Sequence, residues 1–175
     1  RRTRPVLVRL RDRATGLLAE FNRAGVLGYA DVHVARRLGG LVGEADDRVL
    51  LGAALAVRAV RQGSVCLPLA SVASSTAVDG LSVEQVAQLP WPSPEVWVSA
   101  LESSPLVAAG SGPPWDRPLR FVDGLLYLDR YWRQERVVAD YVDRAVSSPP
   151  HEVDAAALRR ALDRLFTGTA PDLQR

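Results

Sequence analysis

The stretch LRFVDGLLYLD, residues 119–129, constrains the fold of this 175-residue chain more than any other. Asp123 and Gly124 stand between two apolar runs rich in strand-forming residues. An Asp-Gly pair at a two-residue loop accepts the positive φ values of a type I′ turn, so residues 119–128 are expected to form a β-hairpin. Most of the remaining text reads as helix, which makes the expected class α+β and mainly helical.

Leu17, Leu18 and Phe21 give a first short helix that the Gly25 and Gly28 region would stop. Asp31 is placed to cap a second, with Val32, Ala35 and Leu38 on one face and Gly39 and Gly40 at its end. Asp46 or Asp47 opens a third, where Val49, Leu50, Ala53, Ala54, Val57 and Val60 recur at helical spacing before Gly63. GSVCLPLA, residues 63–70, reads as a brief buried strand, followed by a Ser/Thr-rich loop at 74–76. Ser82 with Gln85 forms a capping box, and Ser93 with Pro94 opens a further helix holding Val96, Trp97 and Leu101. Leu106–Ala109 can be a strand, and GSGPPWDRP, residues 110–118, is the clearest loop. After the hairpin, Val137, Val138, Tyr141, Val142 and Ala145 share one helical stripe. Residues 147–150 break it, and a last helix from Asp154 puts Leu158, Ala161, Leu162, Leu165 and Phe166 on one face. From Asp46 to Leu128 the order helix, strand, helix, helix, hairpin matches a winged helix. The helix in the recognition position, PEVWVSALES, has no basic residue, so arginine readout of a major groove is implausible there.

Composition excludes whole classes of chemistry. All 22 basic residues are arginine, so the chain encodes neither a phosphate-binding P-loop lysine nor a Schiff-base lysine. One cysteine forms no internal disulfide, and His33 and His151 show no zinc-site spacing, so neither a metal nor a cofactor is expected. No apolar run approaches the roughly 20 residues that span a bilayer, and the Arg-rich start lacks the apolar stretch that a secretory signal needs, so a cytoplasmic protein without a membrane partner is expected. The chain lacks methionine and does not start at its own start codon, so it reads as a piece of a longer protein. Residues 1–13 hold six arginines against Asp12, a charge of +5 that leaves −3 for the rest of a chain whose net charge is +2.

Arg1, Arg2, Arg4, Arg9, Arg11 and Arg13 are therefore the candidate contacts to DNA phosphates, in a basic N-terminal arm over residues 1–14. A loose, solvated chain end is the plainer reading. Cys66, between Val65 and Leu67, reads as a small buried apolar residue rather than a nucleophile. Arg130, Tyr131, Trp132, Arg133 and Arg136 have the composition of an interface hot spot. They can equally seal the hairpin onto the next helix, the arginines pairing with Asp129, Glu135 and Asp140. Trp115 either packs back on the domain or meets a partner.

Three pieces in order, GSVCLPL, then LLYLDRYWRQERVVADYV after a prolyl loop, then VDAAALRRALDRLF, resemble the N-terminal domain of RecD, the alpha subunit of the bacterial RecBCD helicase-nuclease, exodeoxyribonuclease V. The resemblance covers about residues 15–170 and leaves the arm outside. It implies a domain that docks on RecC and, through it, RecB, and that meets DNA only through the complex. It also implies an ATP- and magnesium-dependent motor moving 5′ to 3′ along DNA, whose Walker A sequence follows this region in the family. The motor is absent from this chain, so no catalysis is expected from it. The alternative is a winged-helix nucleic-acid-binding module using the arm and the hairpin as wing.

Overall fold

The computed structural model describes residues 16–148 and 154–166. The arm at 1–14 with its six arginines, and His151, lie outside the described residues. The backbone divides into two compact units between Val137 and Val138.

The first unit opens with three helices. α1 (Gly16–Arg23) buries Leu18 and Phe21 and gives way at Gly25, where φ is 81°. α2 (Tyr29–Val42) begins earlier than expected. Gly28 is its N-cap, and Asp31, in the third helical position, accepts the Gly28 N–H at 2.8 Å. The Asp31 side chain is buried and is held by Arg61 through bonds of 2.8 and 2.6 Å, which ties α2 to α3 (Asp47–Arg61). α2 also runs through the expected stops Gly39 and Gly40, ending at Gly43 with φ 75°. Glycine inside a helix costs about 1 kcal/mol relative to alanine. At Gly39 close packing demands it, since a Cβ would lie 2.6 Å from the Leu50 side chain and 2.8 Å from the Glu44 carbonyl oxygen. α3 starts as expected, Asp46 accepting the Arg48 N–H at 2.9 Å, and Gly63 follows its end with φ 87°.

β1 (Cys66–Pro68) follows, then α4 (Val72–Ser75), a single turn where a loop was expected. α5 (Val83–Ala87) carries the expected capping box between Ser82 and Gln85. α6 (Pro94–Ser103) leads to β2 (Val107–Ala109), β3 (Leu119–Val122) and β4 (Leu125–Leu128). The hairpin forms as read, with Asp123 at φ 51° and Gly124 at φ 76°. Phe121 pairs with Leu126 in the β3–β4 ladder. The sheet order is β1-β4-β3-β2, with β1 antiparallel to β4 and β2 parallel to β3.

α3 is the axis of this unit and packs on α1, α2, α6, β1 and β4. Gly52 allows that approach, because a Cβ there would lie 3.2 Å from both Leu101 and Leu126. Trp97, buried against it, donates its indole N–H to the Arg48 carbonyl at 2.8 Å. The α+β class is thus what the chain forms. The winged-helix comparison covers less of it, since the sheet gains the parallel strand β2 and α4 and α5 both lie between β1 and α6.

α7 (Asp129–Ser147) begins in the first unit and crosses the division. The second unit holds the rest of α7 and α8 (Ala155–Leu165), which Asp154 caps by accepting the Ala156 and Ala157 N–H groups at 2.9 and 3.1 Å. The expected stripes are present, but Val138, Tyr141 and Val142 on α7 and Leu158, Leu162 and Leu165 on α8 are exposed. No described helix is long and apolar enough to cross a membrane.

Candidate functional site

The polar centre of the first unit is Arg120, in the middle of β3. Leu119 and Phe121 point into the core, so strand alternation sends Arg120 to the other face. That face is covered too, and Arg120 is 0% exposed. Its Nε donates to Asp129 Oδ1 at 2.6 Å, Nη1 to the carbonyls of Gly110 and Gly112 at 2.8 and 2.7 Å, and Nη2 to the carbonyl of Pro114 at 3.0 Å. A buried guanidinium is tolerated when its charge is paired and its nitrogens are hydrogen-bonded, and here Asp129 pairs the charge and each of the three nitrogens donates at least one bond. Three bonds from one side chain thereby fix the loop 110–118, and the fourth ties it to the start of the following helix.

Two tryptophans close over the same group. The Arg120 Cζ lies 4.9 Å from the Trp115 ring centroid and 4.4 Å from that of Trp132, and the two rings stack at 6.3 Å with 28° between planes. Asp129 bridges to a second arginine, accepting from Arg133 Nε at 2.5 Å, and Arg133 also donates to the Trp115 carbonyl. Trp132 is buried, whereas Trp115 remains 52% exposed. Trp115 therefore packs back on the domain with one face and offers the other to solvent.

Tyr131 is half-buried, and Arg130, Arg133 and Arg136 are exposed. Arg1, Arg2, Arg4, Arg9, Arg11 and Arg13 lie outside the described residues. Cys66 is half-buried rather than buried, because β1 is an edge strand, and it pairs with Tyr127 across the β1–β4 ladder. Burial first, then the charge of Glu135, pushes the Cys66 thiol up, away from nucleophilic use at neutral pH. Burial also raises the Tyr127 phenol to about 12, with the nearby Cys66 and Glu135 adding to it.

Beside the Trp115 loop runs a groove that the helical pattern alone did not disclose. α2 carries a second apolar stripe, Val34, Leu38, Leu41 and Val42, facing Arg117, Pro118, Leu128, Arg130 and Arg133. Two adjoining recesses of about 620 and 350 Å³ share Leu38, Arg117 and Pro118. A third recess, by α6, has a mixed lining, and several of its polar groups are already paired. Asp46 holds Arg48, and Glu44 accepts the Asp46 N–H at 2.8 Å and the Ser104 hydroxyl at 2.5 Å. Among the described residues no group of three His, Cys, Asp or Glu side chains is arranged to hold a metal ion.

Arg120 carried little signal in the sequence, since an arginine between Leu119 and Phe121 reads as a solvent-facing strand residue. The available hint was the density of Trp115, Asp129, Trp132 and Arg133 around it.

Residues 23–127 match the family described as RecBCD enzyme subunit RecD, N-terminal domain. This range contains Trp115, Arg120 and the whole α2 stripe, and ends just before Asp129. The chain is 46% identical over 140 residues to the RecBCD enzyme subunit RecD of Mycobacterium tuberculosis, which covers 78% of this chain and 22% of that protein. It is 47% identical over 127 residues to the RecBCD enzyme subunit RecD of Mycolicibacterium smegmatis, covering 73% of this chain and 20% of that one. The chain thus spans about a fifth of the length of these relatives.

Proposed function

Because this chain belongs to the family of RecD N-terminal domains, we propose that it is an assembly domain that docks a helicase motor onto the RecC subunit of a RecBCD-type complex. In this reading the domain catalyses nothing. ATP and magnesium serve the motor portion of the longer polypeptide, and the complex acts in the cytoplasm on double-strand breaks repaired by homologous recombination. RecB is reached through RecC, and DNA through the complex.

The observation that carries the reading is Trp115. A half-exposed tryptophan in a loop held by a buried arginine is an anchor already paid for in conformational entropy, and such rigid aromatic side chains beside arginines dominate protein interfaces. Arg130, Arg133 and Arg136, exposed on the first turns of α7, and the half-buried Tyr131 extend this surface, with Trp132 as the support beneath Trp115.

The alternative, a nucleic-acid-binding winged helix, draws no support from α6. That helix buries Trp97 and Leu101 and presents Glu95 beside Glu44 and Asp46.

The test is reconstitution with RecB and RecC of the polypeptide carrying this domain, as wild type and as Arg133→Glu. Assembly is expected to fall with the variant while its circular dichroism spectrum is retained. Unchanged assembly of Arg133→Glu would remove this segment from the interface.

A further inference from the structure

The groove between α2 and the Trp115 loop has its own chemistry, and we propose that it receives an amphipathic helix of the partner subunit, apolar on the face it buries and acidic along its edges. This rests on the assembly reading and specifies what the partner brings to the same surface.

Shape comes first. Val34, Leu38 and Leu41 are spaced i, i+4 and i+7, a stripe of two turns and about 10 Å. Their helix already buries its opposite face, with Val32 and Ala35 in the core. Leu41 is 66% exposed and, with Val42, leaves an apolar strip beside Trp115 that Val34 continues toward Leu128 and Arg130. A strip of this length and spacing fits the apolar face of another helix laid in a groove.

Charge selects among helices. Arg37 lies three residues after Val34 and four before Leu41, which places it on the edge of the stripe. Arg130 stands across the groove. Both are exposed, and neither has a hydrogen-bond or ion-pair partner among the described residues. Of the carboxylates on the groove, Asp129 is already held by Arg120 and Arg133, and Asp116 lies 3.8 Å from Arg117. The surface therefore has guanidinium groups to spare on both sides of an apolar floor. Phosphates would satisfy the arginines but would leave Leu38 and Leu41 in water, whereas a helix edged with Asp or Glu answers both.

The experiment uses the reconstituted complex of RecB, RecC and the full-length polypeptide carrying this domain. A photo-crosslinking amino acid is placed at Leu41, and the joined peptide is identified by mass spectrometry. In parallel, Arg37→Glu/Arg130→Glu and Leu41→Asp are compared with wild type for affinity, at low and high salt. All three positions are exposed, so the substitutions break no buried contact. The expected result is a crosslink to a partner-subunit segment with apolar residues at i, i+3 or i+4 and excess acidic residues. Affinity should fall about tenfold or more for each variant, and the salt dependence should be reduced in the double charge reversal. A crosslink to a second copy of this chain, to another part of its own polypeptide or to added DNA would overturn the proposal, as would unaltered affinity of both variants in a complex that assembles normally. Failure of the wild type itself to assemble would instead overturn the assembly reading on which the proposal stands.

Discussion

Replacing Arg120 with methionine keeps most of the volume and removes the guanidinium on which the loop 110–118 is hung. Four hydrogen bonds disappear, to the Asp129 carboxylate and to the carbonyls of Gly110, Gly112 and Pro114. Removing one partner of a buried ion pair costs about 3–5 kcal/mol, because the other charge stays behind without compensation. Here Asp129 keeps Arg133, which limits its share of the loss, while three acceptors in a partly exposed loop regain water only if the loop loosens. The expected destabilisation is therefore about 3–4 kcal/mol. Urea unfolding followed by circular dichroism measures it. With a slope of about 2 kcal/mol per M, the midpoint should fall by about 1.5–2 M. Asp129→Asn alone and with Arg120→Met closes a double-mutant cycle, and the two residues should couple by at least about 1 kcal/mol. A midpoint shift below about 0.5 M, with coupling near zero, would show that Arg120 does not hold the loop and would refute the reasoning.

Adjacent glycines in α2 should respond oppositely. Gly40→Ala, with nothing within 4 Å of the new Cβ, should stabilise the chain by about 0.5–1 kcal/mol, whereas Gly39→Ala meets Leu50 and the Glu44 carbonyl and should destabilise it, as thermal unfolding would show. Tyr127 should ionise near pH 12, later than the usual tyrosine value of about 10, and Tyr127→Phe should abolish that late step in a spectrophotometric titration. Its raised value means that the folded state keeps the proton longer than the unfolded one. The associated stability is present below about pH 10 and is lost as pH rises toward 12, so a stability profile without a Tyr127-dependent decline there would contradict this. Cys66 should alkylate slowly at neutral pH and faster in Glu135→Gln, since burial and then that carboxylate hold the thiol protonated, and a rate equal to that of free cysteine would exclude this.

Features whose causes are local could be read from the sequence. The Asp123-Gly124 turn and the caps at Asp46, Ser82 and Asp154 are each decided within about four residues, and all four are found. Where a distant partner decides, the local sequence pattern misleads. Gly39 looks like a helix stop until Leu50 packs against it, and Asp31 looks like a cap until Arg61 pulls it inward. Part of the candidate surface was legible as well. Trp115, Trp132 and Arg133 stood out, and the pairing of Arg133 with Asp129 follows from i, i+4 spacing. Arg120 did not stand out, because carbonyls six to ten residues away, with Asp129 and two tryptophans, turn a strand arginine into a buried centre. The second stripe of α2 was hidden for a related reason. Val32, Ala35 and Leu38 already supply one apolar face, so Val34 and Leu41 gain meaning only when the end of the loop, Arg117 and Pro118, is set beside them.

The most direct test of the assembly reading is size-exclusion chromatography of this chain mixed with purified RecC subunit from the same organism, with circular dichroism of the chain as a control. The account predicts co-elution as a single complex, weakened by Arg133→Glu. Separate elution of a chain that retains its helical spectrum would contradict it.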